Sequence, residues 1–480
     1  MATYLKINKY SSIAAVALCA LVLTAYAGLI PLGLWWADEY DVIPKFASNS
    51  GNYFQLLSWI PRPFSNALIA LYSFFVNQIH SQFISPTLMS LWITGLIITV
   101  VTPLALLKNL RLGSLSCVVL STSLFATFLL NHPVREMFYW PFGAFAYIPT
   151  LAAFCLVTWL YIFWSRSVKD YVLSAIALSI GATSSEIGAL VVAILIIPQL
   201  LFIALSLLNR RNFLNKRILW LVLPLGSALW VLYSVSAGRV GSAGEVYGDP
   251  QIAHHILRAI PPSIETFLRG IILADVSGPF ALGLLYGLVM KALYIYGATL
   301  IFINTSDNFK FEINQKFSIF LAAAFLFSAY LIVLAGYYQY GLSCCERHST
   351  FKDCLIFLAL ICISASIASI FTSKKIISKT PLVQLGSAFI FISILIGVFG
   401  SYQNISKAYN GFASKKEMIH ANWERGLTSD KAMIFEQRDD PIVGGILRPP
   451  GTYVMGNDVD WGAAAIMRFF SKESITFTSD

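Results

Sequence analysis

Apolar runs of about 20 residues recur along this sequence as far as Gly400, separated by short polar loops, and that recurrence leaves few folds open. A run of that length spans the hydrocarbon of a bilayer as a helix. Inside lipid, only helices and closed barrels satisfy every backbone polar group. Hydrophobic residues make up 57% of the 480-residue chain, and the mean hydropathy is +0.71. Soluble domains sit nearer about 45–50% apolar. The sequence therefore predicts an all-α polytopic membrane protein, not one soluble core or a barrel.

Charge orients the runs. The net charge of +9 would suggest nucleic acid in a soluble protein. Here Lys and Arg gather in short loops between spans: Lys108 and Arg111, Arg166 and Lys169, Arg210 to Arg217, and Lys374 to Lys379. That is the positive-inside signal, so no nucleic-acid partner is expected. The alternation predicts about eleven spans, a cytoplasmic N-terminus and an extracytoplasmic C-terminus. The first span runs from Ser12 to Leu34, a retained span and not a cleaved signal. Others follow over Ser85–Leu107, Leu112–Leu130 and Ala144–Phe163. Tyr171–Leu208 is too long for one crossing and is split at Thr183-Ser184-Ser185-Glu186, between Gly181 and Gly188. Ile218–Ser236, Gly278–Ile303, Phe317–Gly336, a run returning to Lys374, and Pro381–Gly400 complete the set.

Phe64–His80 is apolar, but a crossing there would carry Lys108 and Arg111 outside. It is expected as an outer interfacial helix. Residues 1–400 form the membrane domain, and 401–480 a small extracytoplasmic tail of mixed α/β structure. Cys19, Cys117, Cys155 and Cys362 lie in apolar runs and read as small buried hydrophobes, while Cys344, Cys345 and Cys354 fall near an outer loop. No cysteine spacing suits zinc.

Chemistry-bearing residues collect on the outer side. Behind Trp35-Trp36 stand Asp38, Glu39 and Asp41, three carboxylates in a chain only 12% charged. The plain reading is a solvated loop; the functional one is a base held where bilayer meets water. Asn131 to Pro141 contains His132, Arg135, Glu136, Tyr139 and Trp140, and Glu186 sits at the outer hairpin. Arg62, Arg239, Arg347 and His348 occupy other outer loops. Arg binds phosphate oxygens through a planar fork, and aromatic faces suit sugar rings as well as they suit an interfacial belt. Lys291, inside a span, is either functional or snorkelling.

An acidic cluster after the first span, an outer interfacial helix and an extracytoplasmic tail together resemble the GT-C superfamily of membrane glycosyltransferases. So do Trp59-Ile60-Pro61-Arg62-Pro63, Phe138 to Gly143, Ser184-Ser185-Glu186 and Asp458-Val459-Asp460-Trp461 followed by Arg468-Phe469-Phe470. They look like bacterial inner-membrane enzymes that decorate surface polysaccharide. The resemblance implies a polyprenyl-phosphate sugar as donor and a glycan such as O-antigen as acceptor. It also implies an acidic pair, here Asp38-Glu39, with Asp41 added, while a divalent cation stays open. An O-antigen polymerase or ligase and a lipid-linked-sugar flippase are the rival classes. No internal repeat of the kind transporters carry is found.

Overall fold

The computed structural model describes residues 2–47, 53–59, 61–106, 113–130, 133–163, 167–208, 220–239, 248–272, 280–309, 313–343, 345–373, 382–428, 430–456 and 459–479. The architecture is that of an all-α, multi-pass membrane protein. Among the described residues, seven helices are long and apolar enough to cross a membrane, and Leu115–Thr127, Glu186–Phe202 and Val222–Ala237 are shorter apolar stretches. Of the basic inside loops, residues 108–111, 166, 210–217 and 374–379 lie outside the described part.

The first half of the chain runs through α1 (Ala2–Ala27), α2 (Ala37–Ala47), α3 (Tyr53–Trp59), α4 (Pro63–Ile79), α5 (Ile84–Leu106), α6 (Gly113–Thr127), α7 (Pro141–Ile162), α8 (Val168–Ser184) and α9 (Glu186–Leu208). The second half continues with α10 (Val222–Arg239), α11 (Ile256–Ile272), α12 (Phe280–Phe309), α13 (Gln315–Tyr340), α14 (Glu346–Ser373) and α15 (Leu382–Asn410). α15 passes straight through position 400, so the boundary read there falls inside a helix.

α7 is the centre of the bundle. It is apolar on every face and buried along nearly its whole length, as an all-round apolar helix must be when other helices surround it. Helices α5, α8, α13 and α14 pack around it. α8 begins with a capping box, Ser167 and Asp170 bonding each other's backbone N–H. The α8–α9 hairpin turns at Ser185, where the split was expected, and the Ser185 hydroxyl accepts a bond from Gly188 N at 2.9 Å. A Cβ on Gly188 would lie 2.0 Å from the Gly181 carbonyl oxygen, so only glycine permits that approach.

The segment expected as an interfacial helix is α4, with Pro63 at its first position and His80 ending it at φ 54°. Its buried stripe is unusually polar: Ser65, Asn66 and Ser73 alternate with Ile69, Tyr72 and Val76. α2 follows Trp35-Trp36 and carries Asp38 and Glu39 in its first turn, where the helix dipole favours negative charge.

The last 70 residues form α16 (Phe412–Leu427), β1 (Ala432–Gln437), β2 (Gly451–Val454), α17 (Trp461–Phe470) and β3 (Ser474–Ser479). β3 is central, parallel to β1 and antiparallel to β2. The register sets Phe435 opposite Phe477, and alternate β1 residues face inward, the period-two pattern of a half-buried strand. Asp460 caps α17 through Ala463 N at 2.9 Å.

This tail grips α2. Trp35 meets Tyr40, Trp423 and Phe469 edge-on, with ring centroids 5.2, 5.6 and 5.5 Å apart, and Tyr40 meets Phe469 at 5.4 Å. Such edge-to-face pairs each add about 0.5–1.5 kcal/mol beyond area burial. Arg468 of α17 reaches Asp41 at 3.3 Å.

Candidate active site

A cavity of about 530 Å³ opens between α2, α3, α4, α7, α10 and the starts of α9 and α14. Asp38, Arg62, Trp140, Tyr147, Glu186, Ser234 and Arg347 give it its polar and aromatic lining. A second hollow of about 230 Å³ shares Arg62, Glu186 and Arg347 with it. Ile187, Leu190, Leu232 and Ile332 make much of that hollow apolar, and His348 stands at it. One polar chamber and one largely apolar groove thus meet at two guanidinium groups.

Each ionic residue reaches the cavity by a local cause. Arg62 is the residue before α4, and its Nη2 donates to both carboxylate oxygens of Glu186, at 2.7 and 2.6 Å. Glu186 opens α9, where the dipole favours an acid. Arg347 lies in the first turn of α14, its guanidinium 5.4 Å from the Trp140 ring centroid and 3.4 Å from Glu136. Asp38 is largely withdrawn from water, which raises its carboxyl above the ordinary value. Arg347, Arg62 and, from the tail, Arg448 oppose that rise. Asp38 is therefore a carboxylate held by distant cations, with no ion-pair partner in contact among the described residues. Such a group keeps its lone pairs for a ligand.

Glu39 belongs elsewhere. The expectation placed it beside Asp38 as an equal candidate for the base, but it is wholly buried and does not line the cavity. Its Oε2 accepts from Trp140 Nε1 at 2.9 Å and Trp36 N at 3.0 Å, and its Oε1 accepts from Phe142 N at 3.2 Å. It is a bracket between α2 and α7. Burial pushes its carboxyl up to about 8. A raised acid stabilises the fold while protonated, and that contribution is lost as pH climbs from its ordinary 4.5 through about 8. Thermal unfolding of the purified protein should accordingly fall by on the order of a few kcal/mol across that window. Glu39→Gln, which cannot ionise, should flatten the slope; an unchanged slope would place the titration on another group.

The remaining candidates also separate. Asp41 turns to the tail, bonded to Lys45 at 2.6 Å as well as to Arg468, and is not at the cavity. Arg135 is ion-paired with Glu346 and lies 3.7 Å from Asp439, so it ties α14 to the tail, and it does not line the cavity. Glu136 accepts from Arg347 N at 3.3 Å and holds that side chain in place. Tyr139 offers no face to a sugar: it is fully buried, its hydroxyl donating to Tyr26 O at 2.8 Å. Trp140, by contrast, lines the cavity. Lys291 does not face the cavity either; its Nζ donates to the carbonyls of Gly270 and Ile271 at 2.9 and 2.7 Å and caps the C-terminal end of α11. His132 and Asp458 lie outside the described residues, as does the side chain of Arg239 at the end of α10.

Among the polar lining residues, Ser58, Tyr147 and Ser234 escaped the sequence reading. Nothing in an aromatic-rich span distinguishes one tyrosine from its neighbours. Among the described residues no three His, Cys, Asp or Glu side chains come together as a metal site. Cys354 is a buried free thiol, like Cys19, Cys117, Cys155 and Cys362. Compared with known proteins, the chain matches no protein-family model, no curated protein and no solved structure.

Proposed function

We propose that the cavity is the active site of a GT-C-type glycosyltransferase working on the extracytoplasmic side of a bacterial inner membrane. Its donor is a polyprenyl-phosphate sugar and its acceptor a surface glycan. The observation that supports this reading is the meeting of Asp38 with Arg62 and Arg347 in one chamber. Glycosyl transfer needs a base for the acceptor hydroxyl and cations for the departing phosphate.

In this reading Asp38 takes the proton of the acceptor hydroxyl as its oxygen bonds to the anomeric carbon. The bond from that carbon to the phosphate oxygen breaks, and polyprenyl phosphate leaves with the electron pair. Arg62 and Arg347 stabilise the charge it carries away. Trp140 gives the sugar a flat wall, and the apolar groove beside the arginines takes lipid chain. About eleven crossings, a cytoplasmic N-terminus and an extracytoplasmic tail complete the proposal.

The test is transfer in membranes carrying the protein, supplied with a panel of polyprenyl-phosphate sugars and extracted surface glycan. Right-side-out vesicles should support transfer from external acceptor, and inverted ones should not. No transfer from any donor at verified expression would overturn the reading. Lengthening of lipid-linked oligosaccharides without monosaccharide transfer would replace it by the polymerase class.

A further inference from the structure

Tyr147 stands two turns into α7, 1% exposed, and its hydroxyl has no hydrogen-bond partner among the described residues. Its ring is fixed by Phe351 and His348, with centroids 5.7 and 6.4 Å away. Arg62 Nε, on the same cavity, is likewise buried without a partner. Buried polar groups are nearly always satisfied, and an unmade bond there is costly. Two orphaned donors on one cavity are thus a feature that folding alone does not favour.

The electrostatic surroundings identify what is missing. The cations whose fields reach the Tyr147 hydroxyl are Arg347 and Arg62. The nearby acids are engaged, Glu186 on Arg62 Nη2 and Glu136 on Arg347. What remains unpaired among the described residues is the hydroxyl and the Nε edge of Arg62, beside the Arg347 guanidinium, whose Nη1 meets Glu136. Donor-bearing residues that line one cavity from the α4 start, α7 and α14 suit a tetrahedral oxyanion, which offers acceptor oxygens in several directions.

We propose that Tyr147 is a ligand-binding residue whose hydroxyl donates to a phosphate oxygen held between Arg62 and Arg347. The identity of that phosphate as a lipid-linked sugar's rests on the function proposed above; the notch itself does not.

The assay uses the full-length protein in detergent, reading thermal unfolding and ligand affinity for farnesyl phosphate, farnesol and inorganic phosphate. Wild type should bind farnesyl phosphate and be indifferent to farnesol at the same concentration. Tyr147→Phe should bind farnesyl phosphate about ten-fold more weakly or worse, the usual worth of a hydrogen bond to a charged group. Without ligand, Tyr147→Phe should melt at the wild-type temperature or above it, because no internal bond is lost. Inorganic phosphate binding as tightly as farnesyl phosphate, and weakened equally by the substitution, would support the notch and assign it to free phosphate. Equal affinities in wild type and Tyr147→Phe, no binding of either phosphate by wild type, or a lower melting temperature for the ligand-free variant would each overturn the proposal. Failure of the transferase reading looks different: phosphate binding that depends on Tyr147 without sugar transfer.

Discussion

Replacing Asp38 with Asn should cut sugar transfer by about 100-fold or more, the usual contribution of a positioned general base. Asn keeps the shape and removes the proton acceptor. The protein should insert and fold at normal levels, since Asp38 lines a cavity and holds no ion-pair partner in contact among the described residues. Because burial raises its carboxyl, the acid limb of the wild-type rate profile should lie above the ordinary Asp value of 3.8, activity rising as pH rises through it. Glu39→Gln at matched expression separates the neighbouring acids: it should alter stability and spare most of the rate. Near-normal turnover of Asp38→Asn would remove the base assignment.

Glu186→Ala should be the most destabilising change at the cavity, by about 3 kcal/mol or more, because it strands the Arg62 charge in a site mostly closed to water. Arg62→Ala alone strands the acid in the same way. The double variant removes both charges, so its loss should fall short of the two single losses added together. Unfolding midpoints of the four proteins give the coupling, expected at about 0.5–3 kcal/mol for residues in contact. Losses that simply add would mean that the ion pair is not energetically coupled. Arg62→Lys keeps the charge but forfeits the planar fork, and should weaken donor binding more than it weakens the fold.

Much of this site was legible in the sequence, for identifiable reasons. Acids are scarce in the chain, so Asp38 stood out; Arg62, Glu186 and Arg347 stood out as charges in loops between apolar runs, and Trp140 as an aromatic face beside them. What the sequence withheld was direction. Asp38 and Glu39 are adjacent, and neighbours on a helix point about 100° apart, so one faces the chamber and the other the interior. An eleven-residue helix interrupted by Pro44 carries too little periodicity to reveal which. Lys291 was read as a charge inside a span, and its capping of α11 depends on where α11 and α12 meet. Arg135 was legible as a cation but not as a strut, since Glu346 and Asp439 are far from it along the chain.

The grip of α17 on α2 has a consequence for the order in which the protein is made. Asp41 and Arg468 meet across 427 positions of sequence. At about 5–20 residues per second, a ribosome needs roughly 20–90 s to travel between them. For most of that interval Trp35 and Tyr40 lack Trp423 and Phe469, the rings that they pack against in the finished fold. The helix that carries Asp38 therefore stays without its tail packing until α17 has been made, and it must hold its place beside α4 and α7 on its own contacts until then.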